Sequence, residues 1–243
     1  GKTLRDIKHK LTQGGYQVVH ATINTLSHGL PQYRNRLWII AFRNNHDFHN
    51  EWQWPELIPT PDFADVLLPI ANDQLKPERR PKSQAASKQI DLASERAIKE
   101  ITKGDWAIAE HLSETFFKFP RPRPEAPALT FSKTQGHWLG SRGRRITTPE
   151  SARLQGFFYH QITWPRNSKH SHQLLGNTMS INLVQRLIIA ALHRMNIQIP
   201  DPWADGSAMK TFKQDAMKDL PNVGNLYRDQ KGLITILPPQ HQF

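Results

Sequence analysis

The chain has 243 residues, enough for one large domain or two small ones, and either could bury a core. Its 32 lysines and arginines exceed its 21 acids by 11, a surplus that favours a polyanionic partner, because each neutralised phosphate releases condensed counterions. There is no cysteine, which excludes disulfides, thiolate metal sites and cysteine nucleophiles within these residues.

No apolar run approaches the roughly 20 residues of a membrane helix. The opening GKTLRDIKHK also lacks the apolar core of a signal peptide. A soluble, cytoplasmic protein with no membrane partner is expected. Leu4, Ile7 and Leu11 stand at helical spacing over residues 3–13, and Gly14-Gly15 end that helix. Tyr16 to Ile23 reads as a strand. HGLPQYRNRLWIIAFR (28–43) reads as a turn and a second strand, with the apolar run Trp38 to Phe42. Within it Gln32, Arg34 and Arg36 alternate, so an extended chain points all three the same way. They are either a solvated strand edge or a row that holds something. A helix and two strands do not make a stable sheet alone, so residues 1–43 are expected to be the end of a sheet whose beginning is missing.

From Asn44 to about Gly143 the composition shifts to proline, aromatics and cations, as in EWQWPELIPTPDF, KPERRPK and KFPRPRPEAPALTFSK. Residues 83–103 can form one helix, with Ile90, Ala93, Ala97 and Ile101 along a stripe and Gly104 as its stop. A loop-rich basic insert suits recognition better than catalysis. KTQGHWLGSRGRR (133–145) is the expected contacting loop, with Lys133, Gln135, His137, Arg142, Arg144 and Arg145 as donors, to bases or to phosphates alone. The histidine pairs in HDFH and KHSHQ lack carboxylates or cysteines at ligand spacing, so no metal is expected.

RRITTPESARLQGF (144–157) carries a strong helix start. Thr147 or Thr148 can cap it, Pro149 suits a first turn, and Glu150 lies three after Thr147 as in a capping box. HQLLGNTMSINLVQRLIIAALHRM (172–195) places Gly176-Asn177 before a long helix. Its expected apolar face runs through Ile181, Val184, Leu187, Ile188, Ala191 and Leu192, with Asn182, Gln185 and Arg186 opposite. The tail beyond Pro200 is polar and mixed; GLITILPP (232–239) has the look of a short strand, and the tail has no assigned role.

In this order the segments resemble the C-terminal half of a DNA (cytosine-5) methyltransferase. HGLPQYRNRLWIIAF resembles the family's eighth conserved block, Tyr-Gly-Val-Pro-Gln-x-Arg-x-Arg leading into a strand. RRITTPESARLQGF resembles the ninth block and HQLLGNTMSINLV the tenth, and the insert lies where the family has its target-recognition domain. Pro149 stands where the family usually has arginine, and Phe158 where it has proline after Gly-Phe. The resemblance implies an α/β fold: the terminal part of a Rossmann-like, S-adenosylmethionine-dependent methyltransferase sheet plus a small, mixed, loop-rich recognition domain. It implies four segments: 1–43 ending the catalytic sheet, 44–171 recognising the target, 172–199 returning to the catalytic domain, and 200–243 as tail. It also implies that Gln32, Arg34 and Arg36 line the catalytic pocket, with Arg36 holding a flipped cytosine, and that Gly176, Asn177 and Thr178 help line the S-adenosylmethionine site. Arg153 is expected to brace the hinge rather than touch a base.

The family's reaction adds a cysteine thiolate to carbon 6 of cytosine before carbon 5 can accept a methyl group. This chain has no cysteine and no Gly-rich loop matching the family's cofactor motif. It is therefore expected to be inactive alone, with double-stranded DNA and a part or subunit carrying Pro-Cys and the Gly-rich loop as partners. A fragment of a longer enzyme, one subunit of a split enzyme, and a non-catalytic DNA-binding relic all remain open. A bacterial, nucleoid-associated setting follows from the resemblance.

Overall fold

A computed structural model describes residues 1–46, 48–68, 107–109, 126–127, 137–165, 168–216, 218, 226–228 and 234–236, and single positions within 84–95 that are helical. The first helix, α1 (Lys2–Gln13), ends at Gly14, and Gly15 at φ 81° turns the chain into strand β1 (Tyr16–Asn24). That turn uses the left-handed conformation glycine adopts without penalty. A 3-10 turn (Thr25–His28) and the short strand β2 (Gln32–Tyr33) lead to β3 (Asn35–Arg43). β1 and β3 form an antiparallel pair registered from Tyr16 opposite Arg43 to Asn24 opposite Asn35. Asn24 fixes that corner: its side-chain oxygen accepts from the backbone N–H of Leu26 (3.1 Å) and of Arg34 (3.0 Å).

In the insert, β4 (Ala107–Ala109), β5 (Ala126–Pro127), β6 (His137–Leu139) and β7 (Arg144–Arg145) are short. β5 pairs in parallel with β2, and β4-β6-β7 make a small antiparallel sheet. Of the helix expected over 83–103, the described positions are helical and Ile90 is buried, while Ala93, Ala97, Ile101 and Gly104 lie outside the described residues.

Helix α2 (Thr148–Leu154) starts as its sequence requires. The Thr147 hydroxyl accepts from the Glu150 N–H, and the Glu150 carboxylate accepts from the Thr147 N–H, the reciprocal pairing of a capping box. Helices α3 (Ser168–Asn177), α4 (Ile181–Arg194) and α5 (Ser207–Asp215) follow, then a hairpin of β8 (Leu226–Arg228) and β9 (Ile234–Ile236).

The main core gathers Leu30, Phe63, Val66, Leu67, Leu139, Ile146, Leu154, Trp203 and Phe212. It thus joins the turn before β2, the start of the insert, the ninth-block helix and the tail. The tail, to which the sequence assigned no role, supplies Trp203 and Phe212, the latter fully buried. Gly29, at φ 94°, sits under this core; a Cβ there would lie 3.0 Å from Ile58 Cδ1 and 3.2 Å from Trp203 Cε3.

Helix α4 is rotated from the expected face. Asn182 and Arg186, placed on the solvent side by periodicity, are buried, and Ile188 is 54% exposed. Specific partners account for this. Asn182 Nδ2 donates to the His28 carbonyl (2.6 Å), and Arg186 Nε donates to Asp201 Oδ2 (2.6 Å). Hydrophobic periodicity cannot register polar groups that carry their own partners inward.

Two buried cations pin the ninth block. Arg144 forks onto Glu150 at 2.8 and 2.7 Å, and the same carboxylate accepts from the N–H groups of Leu68 and Thr147 and from the Thr147 hydroxyl. Burial alone would raise the Glu150 carboxyl, but the Arg144 and Thr147 bonds outweigh it and hold it below its ordinary value. Arg153 is fully buried and bonded within the protein. It donates to the carbonyls of Val66 (2.9 Å) and Phe212 (2.8 Å) and lies 4.7 Å over the Phe212 ring. Removing one partner of a buried pair strands the other, so Glu150→Gln should lower unfolding free energy by about 3–5 kcal/mol in urea; a loss under about 1 kcal/mol would show the pair is dispensable.

Candidate active site

The eighth-block segment lies against the break between α3 and α4. Gln32 is fully buried: its Nε2 donates to the Leu154 carbonyl (3.0 Å), and its Oε1 lies 3.3 Å from the Ser180 hydroxyl. That hydroxyl also lies 3.1 Å from Gln155 Oε1 and 3.1 Å from Thr25 Oγ1, and Gln155 Nε2 donates to the Leu175 carbonyl (2.9 Å). One hydroxyl carries one proton, so Ser180 serves one amide oxygen at a time while Thr25 can donate to it. Ser180 precedes α4 as an N-cap would, yet it makes no capping bond. Sequence reading gave it no role, because a serine before an apolar helix reads as a cap.

Arg34 is also buried. Its Nη2 donates to the carbonyls of Gly176 (3.0 Å) and Thr178 (2.9 Å), so it braces the α3–α4 break. Burial, followed by the neighbouring Arg36, lowers its pKa to about 10, which leaves it charged at neutral pH. Arg36 is exposed, and its Nη1 donates to the Asn35 carbonyl (2.7 Å). The alternating row therefore divides: Gln32 and Arg34 hold protein, and Arg36 faces outward. Gly176 and Asn177 stand before the long helix as expected, but they close α3, and residues 178–180 separate them from α4 at Ile181. The Thr178 hydroxyl donates to the Leu175 carbonyl (2.8 Å).

These residues nevertheless converge. A cavity of about 190 Å³ is lined by Thr25, Arg34, Arg36, Leu37 and Trp38 on one side and by Asn177, Thr178, Met179 and Ser180 on the other. Leu37 and Met179 are largely exposed at this cavity. Cations and hydroxyls with an apolar border suit a flat polar ring that carries acceptor oxygens.

His28 is buried with its Nδ1 2.6 Å from Arg186 Nη1, so the imidazole accepts and is neutral. Burial, then Arg186, lowers its pKa to about 4, partly opposed by Asp201.

The family described as C-5 cytosine-specific DNA methylase matches residues 1–193. The chain belongs to that family. It is 26% identical to type II methyltransferase M.HaeII of Haemophilus aegyptius over 81% of this chain and 57% of that protein. It is 25% identical to type II methyltransferase M.HhaI of Haemophilus parahaemolyticus over 76% of this chain and 56% of that one. The chain thus spans a little over half the length of these relatives. The solved S. pombe Dnmt2 methyltransferase aligns with a TM-score of 0.43 at 16% identity, covering 81% of this chain and 64% of that one.

Family membership agrees with the α/β fold expected from sequence. The donors expected in the contacting loop are dispersed. His137 and Arg144 are buried, Arg142 Nη1 donates to the Leu68 carbonyl (2.8 Å), and Arg145 is half-buried. Lys133 and Gln135 lie outside the described residues. Among the described residues no group of three or more histidines and acids could hold a metal ion, and no helix is long and apolar enough to cross a membrane.

The neutral His28 sets a pH dependence. As pH falls below 6.5 the unfolded chain takes up this proton while the native state, with its value near 4, does not. Stability contributed by the shift is thus complete above about pH 6.5 and is lost as pH falls toward 4, on the order of 2–3 kcal/mol. Urea titrations between pH 7.5 and 4 should show a smaller loss in His28→Asn than in wild type; equal slopes would remove His28 from the account.

Proposed function

We propose that this chain supplies target recognition and one wall of the reaction pocket to a DNA (cytosine-5) methyltransferase acting on double-stranded DNA. The single observation that carries the reading is the cavity shared by Arg34 and Arg36 with Asn177 and Thr178, since it unites the eighth and tenth blocks. Within it, Arg36 is the cation available to a flipped cytosine or its phosphate, and an arginine keeps its charge when desolvated. Arg34, bonded to the Gly176 and Thr178 carbonyls, acts as a positioning residue that keeps the tenth-block wall beside it. Gly176, Asn177 and Thr178 are proposed to border S-adenosylmethionine, which supplies the electrophilic methyl group when bound.

The attacking thiolate must come from residues outside these 243, which contain no cysteine. A part or subunit carrying Pro-Cys and a Gly-rich loop would provide it, packing against the exposed Leu37 and Met179 at the cavity. Sequence-specific contacts are proposed for the insert. Lys133 and Gln135 are proposed as DNA contacts, whereas His137 and Arg144 are buried, and the net charge of +11 favours the phosphate backbone.

Arg36→Ala in the complete enzyme tests this directly. Methyl transfer to duplex DNA should fall about 10²-fold, as for loss of a charge-stabilising donor, with thermal stability unchanged because Arg36 is exposed. Unchanged turnover would return Arg36 to a solvated strand. Salt-sensitive DNA binding by the complete wild-type protein without any methyl transfer would favour the non-catalytic DNA-binding alternative.

A further inference from the structure

Residues 201–215 lie beyond the segment matched by the family, which ends at residue 193. They nevertheless bond to both sides of the joint between α4 and the start of the insert. On the α4 side, Asp201 Oδ2 accepts from Arg186 Nε (2.6 Å), and Trp203 Nε1 donates to Gln185 Oε1 (2.7 Å). On the insert side, α5 lies against the 3-10 turn Phe63–Asp65, and Lys213 Nζ stands 2.8 Å from Asp65 Oδ1. The Phe212 carbonyl accepts from Arg153, which also donates to the Val66 carbonyl of the insert. Apolar packing does not fill this joint. A cleft of about 400 Å³ remains, lined by Gly156 and Phe158 after α2, by Gln185 of α4, and by Trp203, Thr211 and Phe212 of the tail. Hydrogen bonds and ion pairs are directional, so these links fix the angle at which the two sides meet.

We infer that residues 201–215 are a positioning strap for target choice, holding the insert at a fixed angle to the reaction pocket, with Lys213 as the residue that seats the strap on the insert. This rests on the proposed function above and deepens it. The strap does not line the cavity, so it acts through other residues: through Arg186 to His28 before β2, and through Asp65 to the insert. A correct target must satisfy contacts from the insert and entry of its base into the pocket together, and small misplacements of such groups are costly. A loosened insert settles on an altered site as readily as on the right one, so the penalty falls mainly on the preferred duplex. Lys213 is the residue to change because it is 53% exposed, so its pair can be broken without opening the core.

The test uses the complete methyltransferase and compares kcat/KM for its preferred duplex with kcat/KM for a duplex carrying one altered base pair in the site, alongside thermal melting. Lys213→Gln and Asp65→Asn should each lower that ratio about threefold to fivefold, the scale of one exposed ion pair. The double variant should do no worse than either single one, because both break the same link. Exchanging the charges, Asp65→Lys with Lys213→Glu, should restore the ratio. Melting temperatures should change little throughout. An active enzyme whose ratio is unmoved in both single variants would overturn the strap alone, even if melting fell, since the pair would then be structural only. A fall in Lys213→Gln without one in Asp65→Asn would overturn it too, because the lysine would then meet phosphate directly. Complete wild-type protein without methyl transfer would overturn the proposed function and the strap with it.

Discussion

One hydroxyl holds the pocket wall in register. Ser180 lies within hydrogen-bonding distance of Thr25, Gln32 and Gln155, and the two glutamines donate onward to the carbonyls of Leu154 and Leu175. Those residues come from the turn after β1, from β2, from the end of α2 and from the α3–α4 break. All four side chains of the cluster are buried, so each polar group that lost water must find its partner inside or cost stability. Apolar packing could bring these segments together in several offsets; a shared hydroxyl with two amide oxygens accepts few. The cavity is what this registration leaves open, with Arg36 and Trp38 on one wall and Asn177 and Thr178 on the other.

The strong positive charge of the chain has two destinations. Arg34, Arg144, Arg153, Arg186 and Arg194 are buried, and they bond to carbonyls, carboxylates, an amide or an imidazole of the protein. Arginine suits this because its planar fork reaches several acceptors and its head is more weakly hydrated than an ammonium. These cations tie loops to helices where a small core alone would leave them loose. The formal surplus thus overstates what a polyanion meets, and the exposed cations carry the long-range attraction.

Elements with local causes were legible in the sequence. The capping box of Thr147 and Glu150, the Gly14-Gly15 stop and the β1–β3 pairing follow from residues close together in the chain. The partition of Gln32 and Arg34 from Arg36 was not legible, because alternation gives direction and says nothing of what another segment brings to meet each side chain. The rotation of α4 was missed for the same reason: Asn182 and Arg186 are drawn inward by His28 and Asp201, at sequence distances no periodicity senses. Trp203 and Phe212 were overlooked because two large apolar residues in a polar tail carry no pattern of their own, yet they complete the core.

The register of the pocket wall depends on the Ser180 cluster acting as a unit. A double-mutant cycle between Gln32→Met and Gln155→Met, read by urea unfolding, asks this most directly, since both glutamine oxygens approach the one Ser180 hydroxyl. Coupling of at least about 1 kcal/mol is expected for members of one buried network. Losses that add within about 0.5 kcal/mol would mean each glutamine merely caps its own carbonyl, and that the pocket wall is registered by packing alone.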